Sequence, residues 1–563
     1  MGHFLDLPRE VRDMIYIPYL TVEGGYILDF DSNTLRAANG EPINLALMFT
    51  CKRFAEDMRG LAFSLNTITF STFLSKEHTS IAGRFHTMTQ CLPTWRAHII
   101  DGIRPATLSV PDDIWDDLSR AHPKFAPFLD LVRSCHDLKD RQLPYGSASP
   151  GSLGETPSVF RGFLHSVLQT IVANKHRFDA DQFSKFDCGN YDSDQLSAES
   201  ISNLNPSPWS IPTLQELEEM LSSLKTEPQI RIEGMFNYSH QCYEVNQLKY
   251  RYSAAAVAIR FLESLSKDSR SSIKRIVLNE DRKAVAFAEC HGLGLIPYCQ
   301  ENPWLRVERR VSMWRTVFQT TTCCNWGSPF VSIFETTKLQ ARQISYPVAV
   351  WIVEALELES AGMPPGSFTL TFEGDSLCSE IFQTVVQRDA AWQAAVDLCL
   401  DRNILPPLSW LRRRSDPRNR YSSIHGVHFD GLITYLFEAF PGAIRDIVAG
   451  NSIIKCNFAL GEAWDVERLA EEHKHYSLSE WNARWMFDRE KEAFEPDPPS
   501  PTWAHLLCEE SWELIAPLTR ADIFDRWPHS RSTIRINKNS QALYFLASHT
   551  VGPSIIIVKF QSI

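Results

Sequence analysis

Ala255 to Leu265 reads AAVAIRFLESL, and Ile273 to Leu278 reads IKRIVL. The first is helical by composition and the second is a short apolar strand. Helix followed by strand predicts an α+β or α/β unit. These two stretches lie in the block Ser253 to Phe318, the most structured part of the middle of the chain. Within it Asn302-Pro303 marks a turn, because the residue before a proline is pushed out of the helical region. Val311 to Phe318 is expected to be helical again.

Outward from this block the pattern stays mixed. Residues 345–400 predict a helix, a strand over Phe368 to Phe372, and a long helix through Ile381, Val385, Trp392 and Val396, with a turn at Pro364-Pro365-Gly366. Leu432 to Val448 is apolar and mostly helical, interrupted at Pro441-Gly442. Residues 465–497 are acidic and helical, and Ala542 to Phe560 suggests two strands around Gly552-Pro553. On the other side, Leu214 to Leu224 and Val159 to Val172 read as helices. Tyr145 to Ser158 and Asp187 to Pro212, rich in Gly, Ser, Asn, Asp and Pro, read as linkers. No repeat holds a fixed period. The expected fold class is therefore α+β, predominantly helical and built of several units. They are a module over 1–75 with an insert at 22–42, a helical segment over 76–212, a mixed block over 213–400, and a helix-rich region over 401–563 that ends in a short β-hairpin.

The chain has 563 residues, 44% hydrophobic and 22% charged, with 33 Phe and 15 Trp, enough apolar mass for packed cores. A net charge of −12 argues against nucleic acid as a partner. Thirteen scattered Cys do not form the dense, even set of a secreted scaffold, so reduced thiols in the cytoplasm or nucleus are expected. MGHFLDLPREVRD has no apolar run behind a basic stretch, so no secretory leader is expected. No apolar run approaches the roughly 18 residues of a membrane span.

The N-terminal residues carry the most specific pattern. Pro8 to Ile17 predicts a helix, with Pro8 in its first turn, Glu10 at the positive end of its dipole, and Val11, Met14 and Ile15 as an apolar stripe. Residues 43–65 keep a helical period through Leu47, Cys51, Phe54, Met58, Leu61 and Leu65, and Thr67 to Phe70 alternates as a strand. Leu7-Pro8-Arg9-Glu10-Val11, then Ile15 and Leu20, resembles the opening helix of an F-box. Thr50-Cys51-Lys52-Arg53-Phe54 is similar to its later helix, and Asn66, Ile68 and Phe70 to the closing strand of the fungal F-box-like variety. Val22 to Pro42 departs from that compact pattern as an insert, and Pro18 falls late in the first helix, where it is expected to break or kink it. The block Ser253 to Phe318, with Cys290-His291 and Glu301-Asn302-Pro303, resembles a stretch of large fungal proteins that carry such N-termini, with no chemistry attached. The resemblance implies an interaction adaptor, a substrate-recognition subunit of a cullin-type ubiquitin ligase. Leu7, Pro8, Val11, Ile15, Cys51 and Phe54 would dock a Skp-family partner, and an unknown target protein would be the second partner.

Other constellations have a functional and a structural reading each. Cys290-His291 could pair a thiol with a base, but adjacent residues point apart on regular elements, and two structural residues near a turn is the better reading. Cys323-Cys324 has no second pair at zinc spacing, and His473 and His475 do not share a helix face, so no metal is expected. Glu280-Asp281 follows a strand, where either a catalytic carboxylate or a cap for the next residues would sit; capping is favoured. Arg412-Arg413-Arg414 with Arg418 and Arg420 could bind phosphate, or pair with the acidic 465–497 stretch. With no P-loop, GxGxxG, HExxH or GxSxG, no cofactor is implied and an enzyme is not expected. The alternatives are an enzyme with a dispersed site, or a nucleic-acid-associated protein using Arg412 to Arg420.

Overall fold

Seven strands form one sheet in a computed structural model of the chain: β1 (Tyr26–Asp29), β2 (Thr34–Ala37), β3 (Thr67–Ser71), β4 (Arg275–Glu280), β5 (Arg306–Ser312), β6 (Phe368–Glu373) and β7 (Ile454–Cys456). Their order is β2-β1-β3-β4-β5-β6-β7. β1 and β2 are an antiparallel hairpin, and every other neighbouring pair is parallel. The structure describes residues 4–102, 110–134, 151, 153–177, 198–224, 249–321, 338–408, 435–510, and the strand segments 535–536, 543–547 and 554–557. The main unit runs Met1–Glu513 and a second unit Leu514–Ile563. In the second unit Arg535–Ile536, Leu543–Ala547 and Ser554–Ile557 form a three-stranded antiparallel sheet, which holds the two strands expected there and adds one. The fold class is α+β and predominantly helical, as the sequence predicts.

From β3 onward each crossover steps to the adjacent strand in one direction, and parallel crossovers of one hand then put their helices on one face. The strands show this directly. In β4, Ile276, Leu278 and Glu280 are buried while Arg275, Val277 and Asn279 face outward. β5 and β6 alternate the same way. Parallel sheets are usually covered on both sides and read as unbroken apolar runs; among the described residues this one is covered on one side, its other face is partly exposed, and it reads as an alternation.

The helices that position the candidate sites are α1 (Arg9–Leu20), α2 (Lys52–Asp57), α3 (Leu61–Leu65), α4 (Pro157–Ala173), α5 (Ala254–Ser264), α6 (Ser345–Ser360) and α7 (Gln387–Asp401). α5 packs on β3 and β4. α6 is apolar nearly all round, from Pro347 to Leu358, and is correspondingly a core helix. One core cluster runs from Tyr26 to Leu506. A second gathers Trp392 of α7 with Tyr435, Trp481 and Trp485.

Several expectations need correction. Val22 to Pro42 does not stand apart as an insert: it supplies β1 and β2, the edge of the main sheet. Gly25, at φ +73°, lets the chain pass so close to the Thr67 carbonyl that a Cβ would collide with it. Pro18 does not end α1, which continues to Leu20. Met14 and Pro18 are both exposed, and Pro18 has no N–H for the Met14 carbonyl one turn before it. The helical period over 43–65 is split, because Gly60 takes φ +73° between α2 and α3. Val311 and Ser312 end β5, a strand the sequence does not announce, and a short π-helical turn over Met313–Val317 comes next. Four charged residues in its seven hide its alternation. The stretch read as a linker to Pro212 contains the partly buried helix Ala198–Asn203. Cys323-Cys324 and Arg412 to Arg420 lie outside the described residues.

Glu354 ties α6 to α4. Its Oε1 accepts from the Ser158 backbone N–H at 2.8 Å, in the first turn of α4, and Arg161 lies 3.5 Å away. Burial raises its pKa to about 7 against the pull of Arg161. The folded chain therefore holds a proton that the unfolded chain has released, and stability falls as the pH rises from 4.5 to about 7. Glu354→Gln keeps the acceptor without the titration. It is expected to flatten that slope and to gain on wild type as pH rises, read by urea unfolding at about pH 5 and about pH 8.

Candidate docking face on the N-terminal helix

α1 turns the wrong side inward. Arg12, Tyr16 and Leu20, four apart, are buried, whereas Leu7 ahead of the helix and Val11, Met14, Ile15 and Ile17 on it are exposed. Met14 is 73% exposed and Ile15 44%. At 100° per residue, Leu7, Val11, Met14, Ile15 and Pro18 share one face, opposite Tyr16. An amphipathic helix normally buries such a stripe against its own domain.

Asp57, the last residue of α2, enforces this orientation. It is buried and accepts from Arg12 Nε at 2.8 Å, Arg9 Nη1 at 2.7 Å and the Tyr16 hydroxyl at 3.2 Å. Burial opposes ionisation of Asp57, but the hydrogen bond and charge of Arg12, with Arg9 and Tyr16, outweigh it and hold its pKa below the usual value. Arg12 also donates to the Leu7 carbonyl at 2.6 Å, which fixes the entry to the helix. Around this ion pair Tyr16, Leu20 and Met58 form a small core with Phe4 and Phe54 against it. The Phe4 and Phe54 rings stack at 5.3 Å.

The six residues singled out in the sequence therefore separate. Leu7, Pro8, Val11 and Ile15 are exposed around one helix face. Cys51 and Phe54 are half-buried; Cys51 sits at the start of α2 and Phe54 belongs to the module's interior, against Phe4 and Tyr16. Met14 was legible in the stripe, but its exposure was not. Asp57 gave no local signal, because its role is set by three partners at least 41 positions away in sequence.

The other sequence candidates fall in a closed interior. Ser253 caps α5, accepting from Ala256 N–H at 2.9 Å, and donates to His291 Nδ1 at 2.7 Å. His291 Nε2 in turn donates to the Ala286 carbonyl at 2.8 Å. Burial lowers the His291 pKa to about 3 and raises that of the Cys290 thiol to about 12. Both side chains are 1% exposed. At neutral pH they offer neither a thiolate nor a protonated imidazole, and no substrate reaches them. Glu280 caps a helix, but the preceding one: it accepts from Ala254 N–H at 2.9 Å and Ala255 N–H at 3.2 Å, the orphan donors of α5. Asp281 stays outside and accepts from the Thr72 hydroxyl. His473 bonds the Leu469 carbonyl. No group of metal-ligating side chains occurs among the described residues.

No protein-family model, curated protein or solved structure matches this chain.

Two stability outcomes separate the enforcing residue from the face it presents. Asp57→Asn is expected to destabilise the main unit, with the deficit full above the ordinary carboxylate range and vanishing as pH falls through the lowered Asp57 pKa. Val11→Asp with Ile15→Asp is expected to leave the unfolding free energy from urea titration within about 0.5 kcal/mol of wild type, since neither side chain is buried.

Proposed function

We propose that this protein is an interaction adaptor whose N-terminal helix docks a Skp-family subunit of a cullin-type ubiquitin ligase, with the remainder of the main unit presenting a target. The observation that carries the reading is the inverted helix. α1 spends its polar residues on an internal ion pair with Asp57 and presents Leu7, Val11, Met14 and Ile15 to solvent. An apolar helix face held rigid from behind is a helix-in-groove ligand. Removing each of these side chains from water on docking contributes up to roughly 2 kcal/mol. The motif Leu7-Pro8-Arg9-Glu10-Val11 supports the choice of partner through its resemblance to an F-box opening helix. An adaptor of this kind works in the cytoplasm or nucleus, in keeping with the free cysteines among the described residues.

Purified full chain titrated with a purified Skp-family adaptor by biolayer interferometry tests this. Wild type is expected to bind, and Val11→Asp/Ile15→Asp to lose at least about 100-fold in affinity while unfolding at the wild-type urea midpoint. Binding that survives the double substitution, or absence of binding by wild type, rejects the Skp-family reading.

A further inference from the structure

The uncovered face of the main sheet carries an arrangement that stability alone disfavours. Register places Thr67, Arg275 and Arg306 side by side across β3, β4 and β5. The next outward row is Ile27, Thr69, Val277, Glu308 and Thr369, and the third is Ser71, Asn279, Arg310, Thr371 and Lys455. Arg310 is held by Glu308 at 2.8 Å and 3.1 Å. Arg306 donates only to the carbonyls of Pro303 and Leu305, and Arg275 has no side-chain partner among the described residues. Like charges directly opposite on a sheet destabilise it. A chain of net charge −12 has carboxylates to spare, yet among the described residues it sets two guanidiniums on adjacent strands without one.

These arginines line a cavity of about 640 Å³ whose floor is the sheet from β3 to β6. Gly25 lies toward one end and Gly366 toward the other. Its charged lining is Arg275, Arg306, Arg310 and Glu308, so the cavity is positive on an acidic protein. β4 and β5 are paired on both edges, so a peptide cannot add as a strand there and must lie across the face, contacting it by side chains.

We infer that the uncovered sheet face docks an acidic peptide segment, with Arg275 and Arg306 receiving its carboxylates as charge-assisted hydrogen bonds. That this segment belongs to the protein's target rests on the adaptor reading; the binding itself does not involve α1. An anionic occupant turns the Arg275–Arg306 repulsion into attraction, which accounts for leaving both without a carboxylate partner among the described residues.

The test is fluorescence anisotropy of a fluorescein-labelled deca-glutamate peptide against the full chain, with deca-glutamine as the neutral probe. Wild type is expected to bind deca-glutamate and not deca-glutamine, and to weaken as salt rises. Arg275→Gln/Arg306→Gln is expected to lose at least about tenfold in affinity while the free protein melts at the wild-type temperature or above it, because the substitution relieves repulsion. A merely structural role for the arginines would lower both. Val11→Asp/Ile15→Asp is expected to bind the peptide as wild type does, so this inference and the adaptor reading fail separately. Absence of deca-glutamate binding by wild type, equal binding by the arginine variant, or displacement by a single-stranded DNA oligomer at lower concentration than by unlabelled deca-glutamate would overturn the inference.

Discussion

The Glu280–Arg309 pair is the contact on which the main unit turns. Arg309 Nη2 lies 2.7 Å from Glu280 Oε1, and both side chains are buried. Glu280 ends β4, Arg309 lies inside β5, and the other Glu280 oxygen holds the first N–H of α5. Arg309 reaches on to the carbonyls of Ala288 and Glu289 and sits over the Trp351 ring of α6 at 4.7 Å. Two strands, two helices and the turn between them are thus registered by one ion pair. A buried pair is costly to desolvate and contributes little net stability against an apolar substitute, but losing one partner leaves the other charge stranded. Its contribution here is geometric, since it fixes where α5 starts relative to the sheet.

The same division recurs on the surface. On α1 Arg12 is internal, paired with Asp57 beside Tyr16 and Leu20, and the apolar stripe of Val11, Met14 and Ile15 is external. On the sheet, the apolar side with the Glu280–Arg309 pair is internal, and Arg275 and Arg306, without a carboxylate partner among the described residues, are external. Each external surface is chemically unlike what a solvated face of its kind would carry, and each has a buried ion pair behind it, Arg12–Asp57 or Arg309–Glu280. Rigid presentation lowers the ordering cost of association. The two surfaces belong to different elements, α1 and the β3–β6 face, so occupying one requires no residue of the other.

Much of the element pattern was legible. The helices around Pro8 to Ile17, Val159 to Val172, Leu214 to Leu224 and Ala255 to Leu265, and the strands over Thr67 to Phe70 and Phe368 to Phe372, follow from period and capping residues. β5 did not, because Arg306, Glu308, Arg309 and Arg310 look like a solvated run until the fold brings the Glu280 carboxylate to Arg309. β1 and β2 read as an insert because a short hairpin carries no signal for the strand it will join. Met14 and Ile15 were visible as a stripe, but a stripe says only that a face is apolar, not which side it turns.

The sequence by itself determined local form: which segments have helical or alternating period, where proline and glycine interrupt them, and that the chain is acidic and rich in buried aromatics. Tertiary structure decided facing. Whether α1 turns Val11 or Arg12 inward depends on Asp57, 45 positions from Arg12. Whether the sheet is covered once or twice depends on the direction of its crossovers. Neither is encoded in periodicity, because a period fixes the angle between residues on an element and leaves open the element's rotation against its neighbours. That rotation is set where distant charges find each other, as Asp57 finds Arg12 and Glu280 finds Arg309.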